Sequence, residues 1–96
     1  MSKTWKTVEL HICRMFGGKR SGPVGKDGPD CECTGDFAVQ IKHGEQIPAT
    51  IQKWMAQTER DAPKGSLPTL VMHAYGKSIG DSLVVFRLKD WKEWYL

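Results

Sequence analysis

Nowhere does the chain run for the roughly 20 apolar residues that a bilayer crossing needs, and its opening Met1-Ser2-Lys3-Thr4-Trp5-Lys6 lacks the apolar block of a secretory leader. The expectation is a soluble chain working in the cytoplasm. Cysteine is scarce: Cys13, Cys31 and Cys33 make three, an odd count at spacings that match no disulfide framework. This predicts free thiols in a reducing compartment. A strong excess of one charge is missing too, since 14 basic residues face 11 acidic ones and leave a net charge of +3. Such a balance favours a polyanionic partner without demanding one. Repeats, low-complexity runs and linkers are absent. With 96 residues and 40% hydrophobic content, the chain is expected to form one domain over 1–96 with a single core.

What is present reads as alternating helices and strands. Apolar residues at Trp5, Val8, Ile12, Met15 and Phe16 recur at helical spacing from Thr4 to Phe16, and Gly17-Gly18 supplies a stop. Glu9 falls just outside the Phe16 edge of the buried stripe, where a carboxylate can look over the rim of a sheet. Lys19 to Gly28 is a glycine-rich loop holding Lys19, Arg20 and Lys26, a candidate phosphate-contacting segment. Asp30 to Cys33 and Phe37 to Lys42 are expected to pair as a hairpin around Thr34-Gly35-Asp36.

A second helix is predicted from Pro48 to about Ala62, with Ile47, Ile51, Trp54, Met55 and Ala62 inward and Pro63 ending it. Two strand-length runs, Leu67 to Ala74 and Ser82 to Leu88, flank the turn Tyr75 to Asp81. Asp90 is expected to cap a short last helix carrying Trp91, Trp94 and Tyr95. The fold class that packs this order most economically is α/β, a small mixed sheet flanked by helices.

Candidate chemistry centres on Pro29-Asp30 and on Phe37-Ala38-Val39-Gln40-Ile41-Lys42. Strand side chains alternate, so Gln40 and Lys42 share one face while Val39 and Ile41 take the other. If Asp30 lies on the neighbouring strand, its carboxylate reaches the face of Gln40 and Lys42, and a divalent cation held there would polarise a phosphate and acidify a bound water.

In this order of elements and motifs the chain resembles the PD-(D/E)xK nuclease superfamily, and within it the small archaeal-type and phage Holliday junction resolvases. The resemblance covers most of the chain: a helix with Glu9, a Ser21-Gly22 loop, Pro29-Asp30, Gln40-Ile41-Lys42, then a helix and two strands. It implies a restriction-endonuclease-like αβββαβ core and a metal-dependent endonuclease of branched DNA, acting in recombination. The metal, Mg2+ or Mn2+, would be held by Asp30, Gln40, Glu9 and the Ile41 carbonyl. Lys42 would stand beside the attacking water. Lys19, Arg20, Ser21, Lys26 and His43 would contact the DNA, and a homodimer would make the paired cuts. The compact form would suit a virus-encoded protein acting in host cytoplasm.

The chain departs from the pattern at Gln40, where the family usually has an acid. A glutamine carbonyl ligates a hard cation but brings no charge. Glu32, two residues after Asp30, can restore a second carboxylate. Two other classes compete. One is a DNA-binding protein of this fold that lost its chemistry through Gln40. The other is a zinc-stabilised domain using His11, Cys13, Cys31 and Cys33, at spacings unlike those of structural zinc sites. The bland readings are Cys31 and Cys33 as buried thiols, His43 as an exposed turn residue, His73 as a packed histidine and Gln57 as a surface amide. Tryptophans can stack bases, yet Trp5 and Trp54 sit at core-facing helical positions, and Trp91 and Trp94 suit packing or a subunit contact.

Overall fold

A computed structural model describes residues 5–21, 28–44 and 46–96; Lys26 lies outside them. The described residues form a mixed α/β protein of three α-helices and two antiparallel two-stranded sheets. The chain divides into two compact units, 1–45 and 46–96. No helix among the described residues is long and apolar enough to cross a membrane.

In the first unit, α1 (Trp5–Met15) packs on a ribbon of β1 (Lys19–Arg20) and β2 (Cys31–Glu32), paired Lys19 to Glu32 and Arg20 to Cys31. The helix ends where the glycines stop it. Gly17 takes φ +82°, its amide donates to Arg14 and that of Gly18 donates to Cys13, so two orphan carbonyls of the last turn are satisfied. Gly18 is required for a second reason. A Cβ there would collide with the Glu32 carbonyl oxygen and lie 2.6 Å from Cγ2 of Thr34.

The expected hairpin is replaced by a looser arrangement. The β2 strand pairs with β1, and the segment 37–42 returns beside Asp30 through one main-chain bond, Asp30 N–H to the Val39 carbonyl (2.8 Å). The turn at Thr34 does form: the Phe37 amide bonds the Thr34 carbonyl, and the Thr34 hydroxyl donates to that of Phe37 at 2.6 Å. Alternation along 39–42 is as expected, with Val39 buried, Ile41 half-buried, and Gln40 and Lys42 exposed.

The cysteines correct the sequence reading most sharply. Cys13 of α1 and Cys31 of β2 are joined in a disulfide, their Cα atoms 5.3 Å apart. With them go the buried-thiol reading of Cys31, two of the four proposed zinc ligands, and the argument for a reducing compartment drawn from cysteine spacing. Cys33 is free and exposed instead of buried, because the strand ends at Glu32 and Cys33 turns away with φ +60°. The disulfide and Val39 form the centre of a small core, against which Ile12, Phe16 and Ile41 pack. Phe16 meets Phe37 edge to face at 5.6 Å, clipping the helix end to the returning segment.

In the second unit, α2 (Ala49–Asp61) starts after Pro48 and stops before Ala62-Pro63. Ala62 is already extended, as the residue before a proline must be. A tight turn closed by the Ser66 amide on the Pro63 carbonyl leads to β3 (Leu70–Met72). This strand packs on α2 and pairs with β4 (Leu83–Val85) in the register Leu70–Val85, Val71–Val84 and Met72–Leu83. Between them Ile79–Asp81 make one turn of 3-10 helix whose Gly80 amide bonds the Ser78 hydroxyl. Both strands are shorter than predicted. α3 (Leu88–Tyr95) begins before Asp90, which lies in its first turn, where its charge suits the helix dipole, and is not its cap. Arg87, at the head of α3, pairs with Glu59 of α2 at 3.2 Å.

Met55 is buried as expected, but Ile47, Trp54 and Trp5 are 55%, 44% and 43% exposed where the helical stripes placed them inward. A two-stranded ribbon is narrower than the sheet those stripes presupposed, so their margins stay uncovered. His73 is hydrogen-bonded, its Nε2 lying 2.7 Å from the Lys77 carbonyl oxygen, yet exposed.

Two predictions follow from these contacts. Ellman titration of the unreduced protein should find one reactive thiol, and in the Cys13→Ser/Cys31→Ser variant the slowest α1 amides should lose about 3 kcal/mol of exchange protection, the value for a closed loop of this size. Replacing Gly18 with alanine should cost about 2–4 kcal/mol of stability, read as a lower urea midpoint, because its Cβ meets main chain and not a movable side-chain tip.

Candidate active site

Five residues of the first unit line a cleft of about 250 Å³: Trp5 and Glu9 from α1, with Ile41, Lys42 and His43 from the returning segment. Trp5 and Glu9 are one helical turn apart, so they share a face of α1. Residues 41–43 reach that face because Val39 and Ile41 anchor their segment on the disulfide cluster.

Asp30 is tied to this segment directly. Its Oδ2 accepts the Ile41 amide at 2.6 Å, a charge-assisted bond, while its own amide donates to Val39. The Asp30 carboxylate and the main chain between Gln40 and Ile41 are thereby fixed to each other. Ser21 braces the other side: its amide donates to the Asp30 carbonyl at 2.9 Å and its hydroxyl to the Pro29 carbonyl at 2.8 Å. A hydroxyl expected to face DNA thus bonds the main chain that holds Asp30.

The Glu9 side chain is mostly covered, 13% exposed, against 27% for its partner Arg20. Its Oε2 accepts from Nε of Arg20 at 3.0 Å, and the same guanidinium lies 5.1 Å from the Trp5 ring centroid. The Lys6 ammonium is 5.6 Å from that centroid. A carboxylate, a guanidinium and an indole therefore form a chain of contacts from α1 to β1 and back.

The structure thus brings Glu9, Ile41, Lys42 and His43 to one cleft and bonds Asp30 to it through Ile41. Gln40 is exposed and does not line the cleft; Lys19 is exposed on β1; Glu32 is half-buried on β2. Among the described residues no three side chains of His, Cys, Asp or Glu gather as a metal-binding group. Lys42 and His43 are exposed and engage in no ion pair among the described residues.

Two features of the site were not legible. Trp5 reads as a core residue from its spacing, and Arg20, expected as a DNA contact, is paired with Glu9, a contact that depends on β1 folding back along α1. The chain matches no family model, no curated protein and no solved structure.

The Asp30 contact is open to direct measurement. In Asp30→Ala the Ile41 amide loses its acceptor, and its hydrogen exchange should accelerate by about tenfold or more, the equivalent of a lost charge-assisted bond, while amides in the middle of α1 hold their rates.

Proposed function

We propose that this protein is a metal-dependent endonuclease hydrolysing phosphodiester bonds in DNA, selective for branched or otherwise structured substrates. The observation that carries the reading is the bond between the Asp30 carboxylate and the Ile41 amide, which holds the acid of the first motif against the segment that delivers Lys42 and His43 to the cleft of Glu9. The finer reading of the fold, an abbreviated restriction-endonuclease-like core, belongs to this proposal and rests on the order of helices, strands and motifs.

The donor set suits a hard cation of the magnesium type, which keeps several waters and takes only one or two protein carboxylates. Asp30 would hold it through the oxygen not given to Ile41, with Glu9 and the Ile41 carbonyl as further donors, and the amide of Gln40, which lies outside the cleft, would join them only by turning inward. Bound there, the cation would acidify a water and offset charge on the phosphate. The chain's own groups do the rest. Lys42 places an ammonium where charge develops on the phosphoryl oxygens. His43 and Lys19 contact backbone phosphates, which positions the DNA without reading its sequence. Arg20 neutralises one oxygen of Glu9 and holds the carboxylate in a single orientation. Two cuts across a four-way junction need two sites, so the active form would be a two-fold homodimer.

One observation favours a second reading, DNA binding without cleavage. Asp30 and Glu9 each have one oxygen already bonded, and Gln40 brings no charge, so the donors offer a cation less charge than a set with an acid at position 40.

Cleavage assays on four-way junction, flap, nicked and linear duplex DNA in Mg2+ or Mn2+ separate the two. The endonuclease reading expects cutting of branched DNA that falls by about a hundredfold in Asp30→Ala, as loss of a group at the reacting centre does, and rises in Gln40→Glu. A wild-type protein that cuts nothing, beside an Asp30→Ala variant binding metal and DNA equally well, would overturn it.

A further inference from the structure

The cleft carries one residue that hydrolysis does not use. Trp5 lines it as a residue 43% exposed, its indole an apolar plane beside exposed cationic side chains. It is not loosely held: Glu9 fixes Arg20 at 3.0 Å, and the Arg20 guanidinium and the Lys6 ammonium lie 5.1 and 5.6 Å from the ring centroid, so a base would use the part of the ring these cations leave open. A ring ordered in advance loses little conformational freedom when a ligand covers it. Lys42 and His43, in the same cleft, present cationic or hydrogen-bonding groups that no ion pair occupies among the described residues.

A flat apolar surface next to phosphate-binding groups matches one chemical unit, a nucleobase with its own phosphate. Bases within a duplex have both faces covered by their neighbours and show only their edges in the grooves. An unpaired base has a free face, and every base can stack on an indole whatever its identity. We propose that Trp5 is a stacking platform for an unpaired DNA base, whose phosphate is held by Lys42 and His43. The inference rests on the nucleic-acid reading of the cleft and deepens it: the structure being selected is a strand with at least one exposed base, as at a flap or an open junction. Arg20 acts here as a positioning residue, ordering the ring without touching the base.

The test measures binding by fluorescence anisotropy in EDTA, so that no cleavage intervenes, with two labelled DNAs of equal phosphate count: a blunt duplex and a duplex ending in a three-thymidine flap. The wild type should prefer the flap by about tenfold, the size of one base–aromatic stack. Trp5→Ala and Trp5→Leu should bring that ratio close to one, and Trp5→Phe should keep most of it. Leucine preserves apolar cover at the helix start but has no flat face, so it serves if alanine disturbs α1. A flap preference that survives in Trp5→Leu overturns the stacking role. If that variant keeps its preference while Lys42→Ala weakens both DNAs alike, the stacking role fails and the nucleic-acid reading stands. A wild type that binds neither DNA overturns both.

Discussion

A helix of three turns and a ribbon of two-residue strands cannot bury enough apolar surface to hold one another, and in the first unit a covalent bond between Cys13 and Cys31 supplies what packing does not. Units of this size commonly need such a staple. Its placement matters as much as its strength. Cys13 lies one helical turn beyond Glu9, and Cys31 directly follows Asp30, so the crosslink joins the helix that carries one candidate carboxylate to the strand that starts just after the other. Val39 and Ile41 then have a surface to pack on, and Lys42 and His43 are carried to the cleft as a consequence. The acids, the lysine and the histidine keep their arrangement because two sulfur atoms keep theirs.

Polar contacts refine what the crosslink sets. Asp30 spends one oxygen on the Ile41 amide, and Glu9 spends one on Arg20, so each carboxylate has a defined direction. Surface ion pairs usually contribute little, but Glu9 is mostly covered and its partner also lies against an indole, which makes this pair an element of geometry more than of stability. Any cation or phosphate entering the cleft would meet groups already oriented.

Local signals were the easiest to read from the sequence. Gly17-Gly18, Pro48 and Pro63 mark helix ends by steric rules that hold in any context, and α1 and α2 lie within a residue or two of their expected bounds. Alternation from Val39 to Lys42 was legible for the same reason, since it depends on the backbone alone. What the sequence hid was non-local. The 37–42 run has the composition of a strand, but the Ile41 amide is taken by a carboxylate and only one ladder bond forms with Asp30. Trp5 and Trp54 follow helical periodicity, which reports a face but not how wide the opposing layer is. Disulfide partners 18 residues apart become visible only once α1 and β2 are placed in space.

Cys33 brings a practical corollary. It is an exposed thiol just past the end of β2, and the other two cysteines are bonded to each other, so it is the sulfhydryl that oxidation in storage would reach first. Two chains linked through it would migrate as a pair on a non-reducing gel and mimic a true dimer. Any claim about quaternary state is therefore best made with Cys33 replaced by serine, a change that keeps the native crosslink and needs no reductant.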